Sequence, residues 1–208
     1  MGPVYAPPTP DLDIIADVQS MRREDVAVIQ SGLAANSLVE TMRGPVNARD
    51  LRAGDMVKTR DHGFQCLRWV GLTRRAKQDA MPVRSPIGTL MSEQHLVLLR
   101  HPKALLYFGV EEVLCAAGTL AEIGHYIREP EAVPTYVHLL FDFHELISCN
   151  GDWVESLQPD VPRLRLGAPD MAAEIAQVLP RLASVQGMAS YVQERPIIDQ
   201  REALALFS

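Results

Sequence analysis

A serine and a histidine three residues apart form the sharpest chemical signal in this sequence. Ser92 and His95 stand at the head of an apolar run in SEQHLVLL, residues 92–99. On a turn that leads into a strand, the two side chains can converge on one carbonyl. The hydroxyl would donate to the carbonyl oxygen, and the imidazole would protonate the departing amide nitrogen. The alternative is that His95 is a turn residue with a satisfied hydrogen bond, the commoner role of a histidine at the start of a strand.

A second group of titratable residues lies in TYVHLLFDFHELISCNGDWVESL, residues 135–157. If residues 135–141 form a strand, His138 points to one of its faces and a return strand begins at His144. Opposed strands would bring His138 near His144 or Asp142 as an acid/base pair. The alternative is a polar lining on a hairpin whose turn is shaped by Asp142.

The sequence predicts neither a metal site nor a cofactor. Cys66, Cys115 and Cys149 are widely separated and form no CxxC pair. The histidine and cysteine spacings match no compact zinc pattern, and His144-Glu145 lacks the second histidine of an HExxH motif. No P-loop, GxGxxG or GxSxG segment is present, so nucleotide-dependent enzymes and hydrolases of the GxSxG type have no support.

The charge balance bears on partners and location. The net charge is −6 and the pI is about 5.5, whereas binding to phosphates requires a clustered basic surface. The one basic cluster, at residues 74–77, is short, so we expect no nucleic-acid partner. An odd number of cysteines favours reduced thiols, and neither a Sec-type leader nor an apolar run of ~20 residues is evident. The sequence therefore predicts a cytoplasmic protein without a membrane span, with secretion by a non-Sec route left open.

The chain divides by pattern into three parts, residues 1–30, 31–160 and 161–208. The first part is a proline-rich extended tail followed by a helix over residues 11–29, where apolar residues recur at helical spacing. In the second part, short runs rich in valine, leucine and aromatic residues alternate with turn signals, which is typical of an all-β domain with many short strands. The third part is a linker followed by amphipathic helices.

The elements can be placed more closely within these parts. Asn150-Gly151 predicts a type I′ hairpin, because both central residues of that turn need positive φ. Residues 117–122 add one helical turn. After a linker that contains Pro159, Pro162 and Pro169, helices are expected over residues 171–179, 182–191 and 201–207. These C-terminal helices would pack on the β domain or present a surface to an unidentified protein partner. The predicted strands lie near residues 37–41, 45–48, 55–60, 64–71, 82–88, 95–100, 104–108, 112–116, 135–141 and 145–149.

Taken together, these stretches resemble the Hint (hedgehog/intein) domain family, in particular its bacterial stand-alone branch. The resemblance runs from about residue 32 to residue 159, and it depends on the order and intervals of several short motifs. These motifs are GP at 44–45, DLRAGDMV at 50–57, DHGF at 61–64, RWVG at 68–71, SEQHLVLL at 92–99, YVHLLFDFHE at 136–145 and ESL at 155–157.

The resemblance implies a fold and a chemistry. The fold is a β-rich horseshoe of many short strands, whose two similar halves bring their ends together at a processing site. The chemistry is autoprocessing: a cysteine or serine at the first position of the domain attacks the preceding carbonyl. Water, another nucleophile or a sterol then resolves the ester or thioester. By resemblance, Ser92 and His95 would polarise the scissile bond and protonate its nitrogen, while His138 and His144 match recurring positions of the bacterial branch.

The sequence departs from this pattern at the residue that must attack. Alignment of the usual opening places Gly32 at the position of the nucleophile, and glycine has no side chain with which to begin an acyl shift. A start shifted by one residue would make Ser31 the nucleophile, attacking the carbonyl of Gln30, although an alcohol needs stronger activation than a thiolate. The terminal asparagine and adjoining nucleophile used in protein splicing have no counterpart here.

Two hypotheses follow from these residues. In the first, the chain is a Hint-type protein whose self-cleavage has been lost and which acts as a binding or structural module. In the second, it is an active autoproteolytic domain that cleaves near Gln30-Ser31-Gly32, with His95 as the acid/base. The candidate catalytic residues are Ser31, Ser92, His95, His138 and His144.

Overall fold

The computed structural model describes residues 29, 31–74, 81–130, 132, 135–192 and 194–208. The helix predicted over residues 11–29 lies outside the described residues, apart from Ile29. Many short strands and six α-helices make up the described part, and four of the helices follow the last long strands. The prediction of a mainly β fold with many short strands and C-terminal helices is therefore confirmed.

Fifteen strands are numbered in chain order. They are β1 Leu33–Ala34, β2 Leu38–Thr41, β3 Gly44–Asn47, β4 Met56–Lys58, β5 Phe64–Cys66, β6 Trp69–Arg74, β7 Val83–Arg84, β8 Leu90–Met91, β9 Leu96–Arg100, β10 Glu112–Ala116, β11 Ile127–Arg128, β12 Thr135–Leu140, β13 Leu146–Cys149, β14 Asp152–Glu155 and β15 Ile197–Ile198. The helices are α1 Pro102–Phe108, α2 Ala117–Glu122, α3 Val161–Gly167, α4 Pro169–Val178, α5 Val185–Ala189 and α6 Gln200–Phe207.

The strands form two sheets in the described part. One sheet has the order β11-β7-β8-β1-β12-β6, and the other has the order β15-β10-β9-β14-β13-β2-β4-β5, with β3 added beside β2. The short strand β1 lies between β8 and β12 and is antiparallel to both. The residue that precedes β1 is thereby held between two strands that come from distant parts of the sequence.

Local signals in the sequence explain several of these elements. In β6, buried and more exposed residues alternate, as expected of a strand with one face against the protein interior. The hairpin between β13 and β14 turns at Asn150 and Gly151, whose φ angles are 50° and 99°. This matches the predicted type I′ turn, and helix α2 coincides with the helical turn predicted at residues 117–122.

Two predicted strands are wrong. Residues 64–71, predicted as one strand, are divided between β5 and β6. Residues 104–108 belong to helix α1 and not to a strand. The helix begins because His101 Nδ1 accepts a hydrogen bond from the backbone N–H of Lys103 at 3.2 Å and because Pro102 fits the first helical turn. It ends at Gly109, which has a φ of 72°, a conformation that glycine adopts without strain. A histidine cap followed by proline and then glycine outweighs the apolar run LLYF.

The predicted linker around residues 159–169 also contains a helix. Helix α3 starts after Asp160, whose carboxylate accepts a hydrogen bond from the N–H of Arg163 at 3.1 Å. Pro162 lies in its first turn, where the missing N–H has no consequence. Proline was therefore a helix-start signal here and not a break.

Two apolar cores lie inside the described part. The larger core joins the sheets and includes Ile198, Ala203 and Leu206 from the C-terminal strand and helix. The smaller core lies between the β domain and the helices α3 and α4. It consists of Ile29, Trp69, Leu140, Leu157, Val161, Leu164, Ala168, Ala172, Ile175, Leu179, Leu182 and Tyr191. Helices α3, α4 and α6 thus contribute buried residues to these cores.

Helices within the described residues are all too short, or too polar, to cross a membrane.

Candidate functional site

Gly32 and Ser92 hold each other at the junction of β1 and β8. The backbone N–H of Gly32 donates to Ser92 Oγ at 3.0 Å, and the backbone N–H of Ser92 donates to the carbonyl of Gly32 at 3.0 Å. Both residues are buried. The serine selected from its spacing to His95 therefore contacts the peptide bond between residues 31 and 32.

His95 follows on the same turn and is enclosed by protein. Its N–H donates to the carbonyl of Ser92 at 3.1 Å, and its own carbonyl accepts from the N–H of Ala117 at 2.9 Å. The imidazole is 3% exposed in relative terms, and within the described residues neither ring nitrogen has a hydrogen-bond partner. The backbone of His95 is thus fully engaged, whereas its ring remains available for a proton or a ligand atom.

Glu155, at the end of β14, lies between two buried histidines. Its Oε1 is 3.9 Å from His95 Nδ1 and its Oε2 is 3.8 Å from His144 Nε2. Both separations are ion-pair contacts and are too long for hydrogen bonds. The carboxylate also accepts a hydrogen bond from the N–H of Leu96 at 3.0 Å. The pairing of Val154 with Val97 brings β14 beside β9 and so creates this arrangement.

At His95 and at Glu155, burial and the charge of the other residue shift the pKa in opposite directions. Burial lowers the pKa of His95 below 6.5; the negative charge of Glu155 opposes this effect, and His144 adds to it. Burial by itself raises the pKa of Glu155, but His144, His95 and the N–H of Leu96 together outweigh it, so the net pKa lies below 4.5. At neutral pH the centre therefore contains an ionised carboxylate beside a neutral His95.

His138, on β12, has a different partner. Its Nε2 lies 2.7 Å from Thr73 Oγ1 across the β6–β12 pair, and both residues are buried. Asp142, the other residue considered as a partner of His138, instead accepts hydrogen bonds from Arg68 at 2.6 and 2.9 Å. His138 and His144 are thus assigned to different neighbours: Thr73 for the first and Glu155 for the second.

The space next to Gly32 is filled by β12. A Cβ atom at this position would lie 2.8 Å from Tyr136 Cβ and 2.9 Å from His138 Cε1. Contacts of this length between carbon atoms are well inside the optimal separation of about 3.5–4.0 Å. Any side chain at residue 32 would therefore require β12 or β1 to move.

Ser31 is half-buried and lies at the mouth of the same centre. It lines a cavity of about 10 Å³ together with Gly32, His95, His138, Glu155 and five apolar residues. It also lines a more open groove of about 270 Å³, one wall of which is formed by helix α3. The structure therefore brings all five predicted catalytic residues to one region, with Glu155 as an additional member.

Sequence reasoning missed Glu155 because its neighbours are distant in the chain. The sequence indicates Glu155 only as part of the ESL motif at residues 155–157, and it gives this residue no role. A buried carboxylate is informative because it is rarely left without a charged or hydrogen-bonding partner.

Neither the buried cysteines nor a metal-binding cluster adds a functional group to the candidate site. Burial raises the pKa of both Cys115 and Cys149 to about 12, so these thiols are protonated at neutral pH. Among the residues that the structure describes, no group of three or more His, Cys, Asp or Glu side chains could hold a metal ion.

Comparison with known proteins agrees with the motifs found in the sequence. A family model described as Hint domain matches residues 31–161, which is more than half of the chain. Among solved structures, the crystal structure of gp41-1 intein is similar over 61% of this chain and 98% of its own, at 13% identity and a TM-score of 0.38. MchDnaB-1 intein is similar over 60% of this chain and 99% of its own, at 14% identity and a TM-score of 0.40. No curated protein matches the chain.

Proposed function

Because the chain belongs to the Hint domain family, we propose that it is a member in which self-cleavage has been lost and the domain serves as a binding or structural module. The observation that carries this proposal is Gly32. Its N–H donates to Ser92 Oγ, which supports an alignment in which the bond between residues 31 and 32 corresponds to the bond that the family cleaves. The residue after that bond has no side chain.

The chemistry of the family requires that missing side chain. Self-cleavage begins when a hydroxyl or thiol of the residue after the bond adds to the preceding carbonyl. The amide nitrogen then leaves with the proton of the nucleophile, and an ester or thioester replaces the amide. Glycine supplies no oxygen or sulfur atom for the new bond. His95 and Ser92 can polarise the amide, but they cannot replace the attacking atom.

The packing around Gly32 supports the same conclusion independently. Tyr136 and His138 fill the space that the Cβ of a nucleophile would need. A change that restored only the missing side chain would therefore meet β12 before it could reach the carbonyl. The region is packed for a glycine.

Three of the other polar residues at the site, Ser92, Glu155 and His138, have contacts that serve the fold. Ser92 joins β8 to Gly32 through two hydrogen bonds, and Glu155 accepts the N–H of Leu96. His138 pairs with Thr73 inside the β6–β12 ladder. These roles give a reason for keeping the same residue types without any cleavage, as a binding or structural module would.

A second candidate function has one observation in its favour. Ser31 lines the small cavity that also contains His95 and Glu155. In this mechanism Ser31 Oγ would add to the carbonyl of Gln30, its proton would pass to the amide nitrogen of Ser31, and water would hydrolyse the resulting ester. The hydrogen bonds of Ser92, however, engage residue 32 and not residue 31. In an extended chain, the side chains of neighbouring residues point in opposite directions.

Intact mass spectrometry separates the two functions. We propose incubating the purified full chain with a thiol or with hydroxylamine, and we expect one species at 23.0 kDa. A fragment that begins at Ser31 and disappears in Ser31→Ala and His95→Ala would establish the second function and overturn the first. A fragment that begins at Gly32, retained in Ser31→Ala but lost in His95→Ala, would indicate hydrolysis by water and would also overturn the first.

Gly32→Cys tests the packing argument in the same assay. We expect this variant to remain uncleaved, because the new Cβ meets Tyr136 and His138. Rapid cleavage of Gly32→Cys would show that only the nucleophile was missing and that the space around it was adequate. Ser31→Cys is the matched control, since it adds a thiol one residue away without adding a Cβ.

A further inference from the structure

We propose that the outer edge of β6 is an interface between two copies of this chain, which pair antiparallel across it. The partner of the proposed binding module would then be a second copy of this chain. It does not depend on whether the chain cleaves itself, because β6 contributes its outer edge and not its contacts with the candidate site.

The first observation is that β6 has no neighbouring strand on one side among the residues that the structure describes. Within the described residues it pairs only with β12. It has six residues, whereas the other strands that end the two sheets, β5, β11 and β15, have three, two and two. Long edge strands offer unpaired N–H and C=O groups to other chains, and proteins normally shorten or cover them. The length of β6 therefore favours pairing with another strand.

The second observation is a groove along this edge. It has a volume of about 330 Å³ and is lined by the first four residues of β6 and by residues 168–171 and 174 of the C-terminal segment. Trp69 Nε1 donates to Glu174 Oε2 at 2.7 Å, which fixes helix α4 beside the strand. The indole lies against Gly71, whose missing side chain leaves room for it. An incoming strand would meet backbone groups of β6 on one side and helix α4 on the other.

The third observation is the distribution of charge along the strand. Asp170 and Glu174 line the groove near the start of β6. Arg74, which is exposed, ends the strand and supplies its basic end. In an antiparallel pair related by a two-fold axis, the basic end of each copy would lie beside the acidic groove of the other. The surface is therefore complementary to itself, and this favours a second copy over an unrelated partner.

The centre of the strand fits the same symmetry. Leu72 is 46% exposed on the face opposite Trp69 and Gly71. Placing Leu72 opposite its counterpart at the two-fold axis puts Arg74 of one copy opposite Val70 of the other, and directly opposed residues share a face of the sheet. The pairing would bury the two leucines against each other and would join two six-stranded sheets into one.

Analytical ultracentrifugation of the full chain tests this interface. We expect a monomer–dimer equilibrium that shifts toward dimer with concentration and toward monomer with added salt, because salt screens the exposed charges. Leu72→Glu should abolish the dimer, since it places two carboxylates at the axis. Leu106→Glu is the matched control: Leu106 is 78% exposed and lies on α1, outside the groove. It should leave the dimer intact.

Hydrogen exchange on the unmodified protein provides a second measurement that does not depend on a variant folding. Amides of residues 70–73 should exchange more slowly at high protein concentration than at low concentration, while those of the short edge strand β11 should not change. A monomer at every concentration would overturn the proposal. So would a dimer that Leu72→Glu leaves intact, or a dimer whose concentration-dependent protection lies elsewhere in the chain.

Discussion

The packing around Gly32 predicts that Gly32→Ala destabilises the fold. The new methyl carbon would lie 2.8 Å from Tyr136 Cβ and 2.9 Å from His138 Cε1. Overpacking costs about 1–3 kcal/mol, and the upper part of that range applies because Tyr136 Cβ cannot move without its strand. Alanine also reduces the entropy of the unfolded chain, which returns about 0.4–1 kcal/mol. The expected net loss in free energy of unfolding is therefore about 2 kcal/mol.

Urea unfolding followed by circular dichroism measures this loss. Ser31→Ala is the control, because it changes the adjacent residue without adding a Cβ and should stay within about 0.5 kcal/mol of the unmodified chain. In the double variant Gly32→Ala/His138→Ala one of the two clashes is absent, so the two substitutions should couple by about 0.5–3 kcal/mol. The packing argument would be refuted if Gly32→Ala were as stable as the unmodified chain or more stable.

Three further predictions concern neighbouring features. Burial holds the pKa of His95 below 6.5, so His95 binds more protons in the unfolded chain than in the folded one. The free energy of unfolding should therefore fall as pH decreases below about 6.5. The midpoint of urea unfolding should fall less with decreasing pH in His95→Leu than in the unmodified chain. Ser92→Ala leaves the buried N–H of Gly32 without its acceptor and should cost about 1–3 kcal/mol, whereas Ser92→Thr should retain most of the stability. Leu206→Ala should cost about 2–5 kcal/mol because Leu206 lies in the larger core, whereas Leu204→Ala, at a position 51% exposed, should be nearly neutral in thermal unfolding.

Much of the fold was predictable because its signals are local. Asn150-Gly151 predicted a hairpin, since positive φ at both positions is a property of the two residues themselves. The wrong prediction at residues 104–108 has a local cause as well: the apolar run favours a strand, whereas its flanking signals, His101-Pro102 and Gly109, favour a helix. The two-residue strands were not predictable in this way, because β1 exists only through its pairing with β8 and β12.

The candidate site was predictable only in part. Ser92 and His95 were recognised because they lie on one turn and belong to one motif. Glu155 was not recognised, because its approach to His95 depends on the pairing of β14 with β9, between residues almost sixty positions apart. The contact of His138 with Thr73 depends in the same way on the register of β6 and β12. Spacing in the sequence carries no information about such pairings.

The closed space at Gly32 bears directly on the proposed loss of self-cleavage. Read from the sequence, a glycine at this position is a single loss that one substitution would reverse. In the structure the same glycine is also the residue that lets β1 lie against Tyr136 and His138, while its N–H and C=O are both engaged by Ser92. A side chain at residue 32 is therefore expected to destabilise the packed fold, whether or not the chain cleaves itself. Under the proposed function, a gain of self-cleavage would therefore require coordinated change in β12, and we expect that substitutions at Gly32 alone give no variant that cleaves.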